Sequence, residues 1–250
     1  MLPLLGTEAG RAEIGRGAGG DRTVEVDRIA EAEALAELGE LAERGEKFSV
    51  LSEEAGQLDF GASFPRILLD PVDGSRNAKR GLPVVGSMLA LQEAPELEAV
   101  RAGFVVNTVS GERWHAVREG GMFRNGIRVA PARHTGEGRI EVLGLETSTR
   151  GVFATPSLIA RVSRLRLLGS TAIALAHTAA GGIDLYCGPT EHRLFDMAAG
   201  LLMIGEVGGV ASDLEGRSLD RLPADLDTLT TVVCSAHRDL HEIALETLRG

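Results

Sequence analysis

The chain has 250 residues, 44% of them hydrophobic, enough to bury a sizeable core as one large or two small domains. A formal charge of −10 disfavours nucleic acid held by counterion release, no apolar run approaches the roughly 20 residues that span a bilayer, and Met1-Leu2-Pro3-Leu4-Leu5 is too short and too uncharged to be a secretion signal. Cys187 and Cys234 are the sole cysteines, which argues against a disulfide framework or a thiolate zinc site and leads to the expectation of a reducing cytoplasmic setting.

Residues 1–20 carry Gly6, Gly10, Gly15, Gly17, Gly19 and Gly20 without a period and read as a loop. Residues 21–27 then lead into a helix whose apolar positions Val26, Ile29, Ala30, Ala34, Leu38 and Leu41 step by three and four. Asp27 is placed there as a first-turn acid complementing the helix dipole. An apolar run at 48–51 ends on Ser52-Glu53-Glu54. Ile67-Leu68-Leu69 suits a buried strand, which Asp70-Pro71 is expected to stop because proline has no amide hydrogen for the next ladder bond. Asp70 and Asp73 then sit three positions apart on a stiff turn, a geometry for a hard cation, although Asp-Pro and Asp-Gly are also ordinary turn pairs. Gly74 allows close backbone approach, and Ser75 is expected to cap a helix whose free amides would hold a phosphate. Arg76, Asn77, Lys79 and Arg80 form either a phosphate-facing cluster or a solvated face.

Residues 84–91, 100–109 and 112–117 read as successive strands, and Asn125-Gly126 signals a hairpin, giving an antiparallel meander beside or within which lone Trp114 packs. The polar stretch 131–138 reads as a link between halves, 1–132 and 133–250. Beyond it strands at 140–145, 165–168, 183–186 and 229–234 alternate with helices from Pro156, Ser170 and Asp196 and a terminal helix, an α/β half. Ser170-Thr171 has a capping pattern, and Asp196 would serve equally as an N-cap. His237 and His241 have helical spacing without a suitable Glu between them and read as surface or packing residues.

Three segments together, Glu53-Glu54, Asp70-Pro71-Val72-Asp73-Gly74-Ser75, and Phe195-Asp196-Met197-Ala198-Ala199-Gly200 with Glu206-Val207-Gly208-Gly209 behind it, resemble the inositol monophosphatase family of Mg2+-dependent, lithium-sensitive phosphatases. Order and approximate spacing match over nearly the whole chain. The resemblance implies a layered αβαβα sandwich, with an antiparallel N-terminal sheet half and a C-terminal α/β half. It also implies a cytoplasmic homodimer acting on a small phosphorylated metabolite. The first helix of archaeal-type members has no counterpart ahead of Pro3-Leu4-Leu5-Gly6-Thr7-Glu8, so the apolar seam it covers would need another cover.

By the same resemblance, one Mg2+ would be held by Glu53, Asp70 and the Val72 carbonyl, and a second by Asp70, Asp73 and Asp196, with a third possible in the loop 15–22. That loop would also bring Arg16 or Arg22 over the phosphate. Glu53 and the pair Asp27 and Ser75 would orient and deprotonate a metal-activated water that attacks the phosphate monoester. Gly74 and Ser75 amides, Ser170, Thr171, Glu191 and Arg193 would contact substrate, Arg193 by taking a second phosphate. Asp73→Asn is expected to abolish turnover with the fold intact. Pro189 stands where animal-type enzymes place an inositol-gripping acid, and the longer 188–193 segment is similar to archaeal-type members. The expected substrates are therefore inositol 1-phosphate and fructose 1,6-bisphosphate. A 3′-phosphoadenosine nucleotide, NADP, or a regulatory binding role on the same scaffold are the alternatives.

Overall fold

The structure, a computed structural model, describes residues 1–20, 22–130 and 139–249. The expected link at 131–138, and with it the boundary between 132 and 133, lies outside the described residues. Short helical turns at the start precede β1 (Glu13–Arg16) and β2 (Arg22–Val24), which pair antiparallel, so part of the glycine-rich segment read as loop is a small hairpin. Helix α1 (Glu25–Glu43) lays Leu38 against Phe48, Val50 and Leu69. Met1, Leu4 and Leu5 pack against Val24, Val26, Val72 and Ala78.

Strand β3 (Phe48–Ser52) is embraced by the long β4 (Gly56–Asp73). Residues 56–60 run antiparallel along one side of it, with Ser52 opposite Gly56, and residues 66–69 return parallel on the other, with Ser52 opposite Leu69. Pro71 does not end this strand. The ladder to the next strand passes from Asp70 opposite Met88 directly to Asp73 opposite Gly86, so the missing proline amide falls inside a register shift where no bond is required. Helix α2 (Ser75–Arg80) follows. Its cap is Gly74, not Ser75, in a left-handed conformation (φ 98°) where a Cβ would lie 2.8 Å from the Gly169 carbonyl oxygen. The meander is present as expected: β5 (Gly86–Gln92), β6 (Val100–Asn107), β7 (Arg113–Val117), β8 (Gly121–Arg124) and β9 (Ile127–Arg128), completing a seven-stranded sheet with Trp114 fully buried on it.

The second half contains β10 (Val142–Leu145), α3 (Thr149–Ala154), α4 (Pro156–Ile159), β11 (Arg164–Arg166), α5 (Thr171–Ala179), β12 (Leu185–Arg193), α6 (Leu194–Glu206), β13 (Val210–Ser212), β14 (Leu229–Ser235) and α7 (Arg238–Arg249). Its five strands are ordered β11-β10-β12-β14-β13, parallel among the first three and antiparallel across β14. The 188–193 segment is the end of β12, which runs seven residues past the strand expected at 183–186. Pairing with β14 jumps from Gly188 to His192, and Pro189 sits in the jump.

Helices α5 and α6 fill the space between the two sheets, touching Leu68, Met88, Val105 and Trp114 on one side and Tyr186, Val232 and Cys234 on the other. Helices α4 and α7 cover the far face of the second sheet through Leu143, Leu185, Cys187 and Val233. With α1 outside the first sheet, the five layers of the αβαβα sandwich are complete. Helix α6 buries Leu194, Phe195, Met197, Leu201, Leu202, Met203 and Ile204. At about 1.5–3 kcal/mol per large side chain, packing rather than helix propensity fixes its position. Among the described residues no helix is long and apolar enough to cross a membrane.

Candidate active site

Strand β3 delivers Glu53 just beyond its end, the inner arm of β4 delivers Asp70, and the first turn of α6 delivers Asp196. One carboxylate oxygen from each of these three lies within 4.8 Å of the others. Asp196 was read as a possible helix cap. It is instead the third residue of α6, behind the cap Arg193, so its carboxylate is directed to the cluster, and its Oδ1 is buried without a hydrogen-bond partner among the described residues.

Asp73, expected on the second metal, is turned the other way. It accepts Ser170 Oγ at 2.5 Å and the Thr171 and Ala172 amides at 3.1 and 2.7 Å, sitting as the anion at the N-terminus of α5. Ser170 is accordingly buried, spends its proton on Asp73 and accepts the Ile173 amide as the cap of α5, which corrects the expectation that it contacts substrate. Thr171 does reach the cavity. Ser75 donates to the Val72 carbonyl at 3.1 Å. Asp27 Oδ2 accepts the Val24 amide at 2.9 Å, as a first-turn acid does, while Oδ1 is buried without a partner among the described residues.

These groups open on a cavity of about 1110 Å3. Its walls include Glu53, Asp70, Val72, Asp73, Gly74, Ser75 and Asp196. Arg22, Arg76, Lys79 and Arg193 bring positive charge, and Leu82, Pro83, Val84, Leu167 and Leu168 form an apolar side. Glu191 is exposed and outside this lining, and Arg16 is likewise exposed on β1. Arg22 is bound to Glu13 at 2.8 Å. Asn77, grouped with the cationic cluster on sequence, is buried and donates to the Val84 and Leu168 carbonyls at 2.8 and 2.7 Å, tying α2 to the second half.

Arg193 is placed unexpectedly: its guanidinium meets Glu53 at 2.7 Å and Asp196 at 3.4 Å. A smaller cavity of about 330 Å3, at the other end of α6 beside Glu206, contains none of the candidate residues.

The electrostatics are those of crowded, desolvated acids. Burial raises the Asp70 carboxyl well above the usual range, and Glu53, Asp73 and Asp196 push it further. Burial and Glu53 raise Asp196, against Arg193. Burial raises Asp27, against the Val24 amide, Lys79 and Ser75, and raises Asp73 against Ser170 and the α5 amides. Glu54, hydrogen-bonded by Thr23, is pushed by burial to about 7.

Glu146 was not singled out from sequence. It lines the cavity, accepts the Gly169 amide at 3.0 Å and is also pushed by burial to about 7. Its signal was available, because Leu143-Gly144-Leu145-Glu146 is an apolar strand ending on an acid, the same pattern as Leu68-Leu69-Asp70. Thr190 and His192, also on the wall, lie on the end of β12, beyond the strand expected at 183–186, and no motif marks them.

An anionic cluster of this density, with a buried carboxylate oxygen left unpartnered among the described residues, matches the oxygen donors that a hard divalent cation requires. The donor set therefore fits a metal.

A sequence profile of the inositol monophosphatase family matches residues 6–250. The chain is 34% identical over 260 residues to the fructose-1,6-bisphosphatase/inositol-1-monophosphatase of Methanothermobacter thermautotrophicus, covering 99% of this chain and 91% of that one. It is 29% identical over 261 residues to the bifunctional NADP phosphatase/NAD kinase of Methanococcus maripaludis, covering 94% of this chain and 44% of that one. Among solved structures, the extragenic suppressor protein suhB of Bartonella henselae superposes with a TM-score of 0.76 at 27% identity, over 92% of this chain and 85% of that one.

Proposed function

This chain belongs to the inositol monophosphatase family, and from that premise we propose that it is a Mg2+-dependent phosphomonoesterase hydrolysing a small sugar or inositol phosphate, inositol 1-phosphate or fructose 1,6-bisphosphate. The observation that carries the reading is the meeting of Glu53, Asp70 and Asp196, drawn from three distant parts of the sequence, on the wall of a cavity that also presents Arg76 and Lys79. Glu53, Asp70 and the Val72 carbonyl would hold one Mg2+, and Asp70 with Asp196 a second, joined by Asp73 once its carboxylate leaves the start of α5. When bound, Mg2+ supplies Lewis acidity to the phosphate oxygens and lowers the pKa of water at the site.

The chain's own residues do the remainder. For Asp27 to act through Ser75, the Ser75 hydroxyl swings from the Val72 carbonyl to Asp27 Oδ1, the buried oxygen without a partner among the described residues. That swing would free the Val72 carbonyl for the cation and leave the Ser75 oxygen able to accept a hydrogen bond. Burial makes Asp27 a stronger base than an exposed aspartate. Gly74 and Ser75 amides, with Arg76 and Lys79, orient the phosphate, while Thr171, Thr190, His192 and Glu146 supply hydroxyl-binding groups on the alcohol side.

The test is phosphate release from purified protein on a panel of inositol, sugar and nucleotide phosphates. We expect turnover that requires Mg2+, disappears with chelator and weakens with Li+, and that falls roughly 100-fold or more in Glu53→Gln and Asp196→Asn. Turnover indifferent to chelation would remove the proposal. The apolar wall of Leu82, Val84, Leu167 and Leu168 favours a second reading, a nucleotide or NADP 2′- or 3′-phosphate whose base lies against it. Higher kcat/KM on the nucleotides of the same panel would select it, and no metal-dependent turnover on any member would leave a binding role on this scaffold.

A further inference from the structure

Arg193 closes β12 and immediately precedes α6, and its guanidinium lies among the carboxylates. Nη2 donates to Glu53 Oε1 at 2.7 Å, Nε stands 3.4 Å from Asp196 Oδ2, and Nη1 donates to the Gly19 carbonyl at 2.9 Å. The side chain is only 15% exposed.

The loop it reaches is fastened to the backbone at Glu53, since the Ala18 and Gly19 amides donate to the Glu54 and Glu53 carbonyls at 2.9 and 2.8 Å. Gly19 makes the room: a Cβ there would lie 2.1 Å from Arg193 Nη1. The guanidinium thus occupies a shaped cradle and sets its single positive charge against two of the three carboxylates that converge on the cation position. A guanidinium and a divalent cation held by the same pair of carboxylates repel each other at short range in a poorly hydrated site.

We propose that Arg193 is an exchangeable counter-charge. In the metal-free chain it holds Glu53 and Asp196 together and latches residues 17–20 over them. When a divalent cation binds, the guanidinium leaves these carboxylates and turns to the cavity it already lines, where it pairs with the phosphate of the ester. Metal and anion binding are then coupled through one side chain. The inference rests on the metal-dependent phosphatase reading above and adds that Arg193 opposes the metal and favours the anion.

The experiment is calorimetric titration of the full chain with Mg2+ alone, and with inorganic phosphate at saturating Mg2+, for wild type, Arg193→Gln and Gly19→Ala, with melting curves as a control on folding. Removing the competing charge should tighten Mg2+ about tenfold and weaken phosphate about tenfold, so that the mutual enhancement of the two ligands shrinks. Gly19→Ala displaces the tip of the same flexible side chain without removing its charge. It should tighten Mg2+ in the same direction while retaining phosphate affinity, and it carries the test if Arg193→Gln fails to fold. Mg2+ affinity unchanged or weakened in variants that melt like wild type would overturn the exchange while leaving the phosphatase reading in place. A wild-type chain that takes up no Mg2+ would remove the metal reading and the exchange with it.

Discussion

Asp73 shows how one carboxylate can serve two masters. Its oxygens receive a hydroxyl and two amides at the start of α5, so the residue expected to ligate metal also completes a helix end. Asp73→Asn should therefore lose more than turnover. Stability should fall by about 1–3 kcal/mol, read as a lower midpoint in urea, because a buried charge-assisted acceptor is replaced by a neutral amide. A midpoint equal to wild type would show that α5 does not depend on this cap, and would restore the expectation of an unaffected fold. The acids themselves were legible in the sequence because the short segments around Glu53, Asp70 and Asp196 are distinctive. The Arg193 contact to Glu53 was not, since it joins side chains 140 positions apart and no local pattern encodes it.

At the scale of elements, most strands and helices follow from period and punctuation. Pro71 is expected to break its strand because it lacks an amide hydrogen, yet it falls, as Pro189 does in β12, where the ladder skips residues and no amide is needed. Three-residue strands such as β2 and β13 are too short to show alternation at all. Helix α6 supplies a prediction at this scale. A Cβ on Gly103 of β6 would stand 2.9 Å from Ala199 Cα and 3.1 Å from its carbonyl oxygen, and backbone cannot move aside as a side-chain tip can. Gly103→Ala should cost about 1–3 kcal/mol and push α6 outward. Asp196 rides on that helix, so Mg2+ affinity should fall together with the melting temperature. Unaltered affinity in a destabilised variant would mean that the metal position does not depend on the seat of α6.

For the whole molecule, the concentration of acids makes stability depend on pH and metal. Glu54 and Glu146 titrate near 7 in the folded chain, and Asp27, Asp70, Asp73 and Asp196 are raised as well. Groups raised on folding bind more protons when folded than when unfolded. Their contribution is therefore present in full below the ordinary carboxylate range and is lost as pH rises through about 7. In chelator, the melting temperature should be higher near about pH 5.5 than near about pH 8, and added Mg2+ should restore stability chiefly at the alkaline end. Glu146→Gln should flatten the dependence. A metal-free melting temperature that climbs steadily from the acidic to the alkaline side would contradict the electrostatics described here.

The way β4 wraps β3 also decides what the margins of the molecule can do to a neighbour. The first sheet ends on one side in the outer arm of β4, which carries Gly56, Asp59 and Gly61, and on the other in the two-residue β9; the second ends in β11 and β13, three residues each. Among the described residues three of these four margins are too short to present a long, flat row of idle amides and carbonyls, which disfavours strand-by-strand accretion into fibrils there.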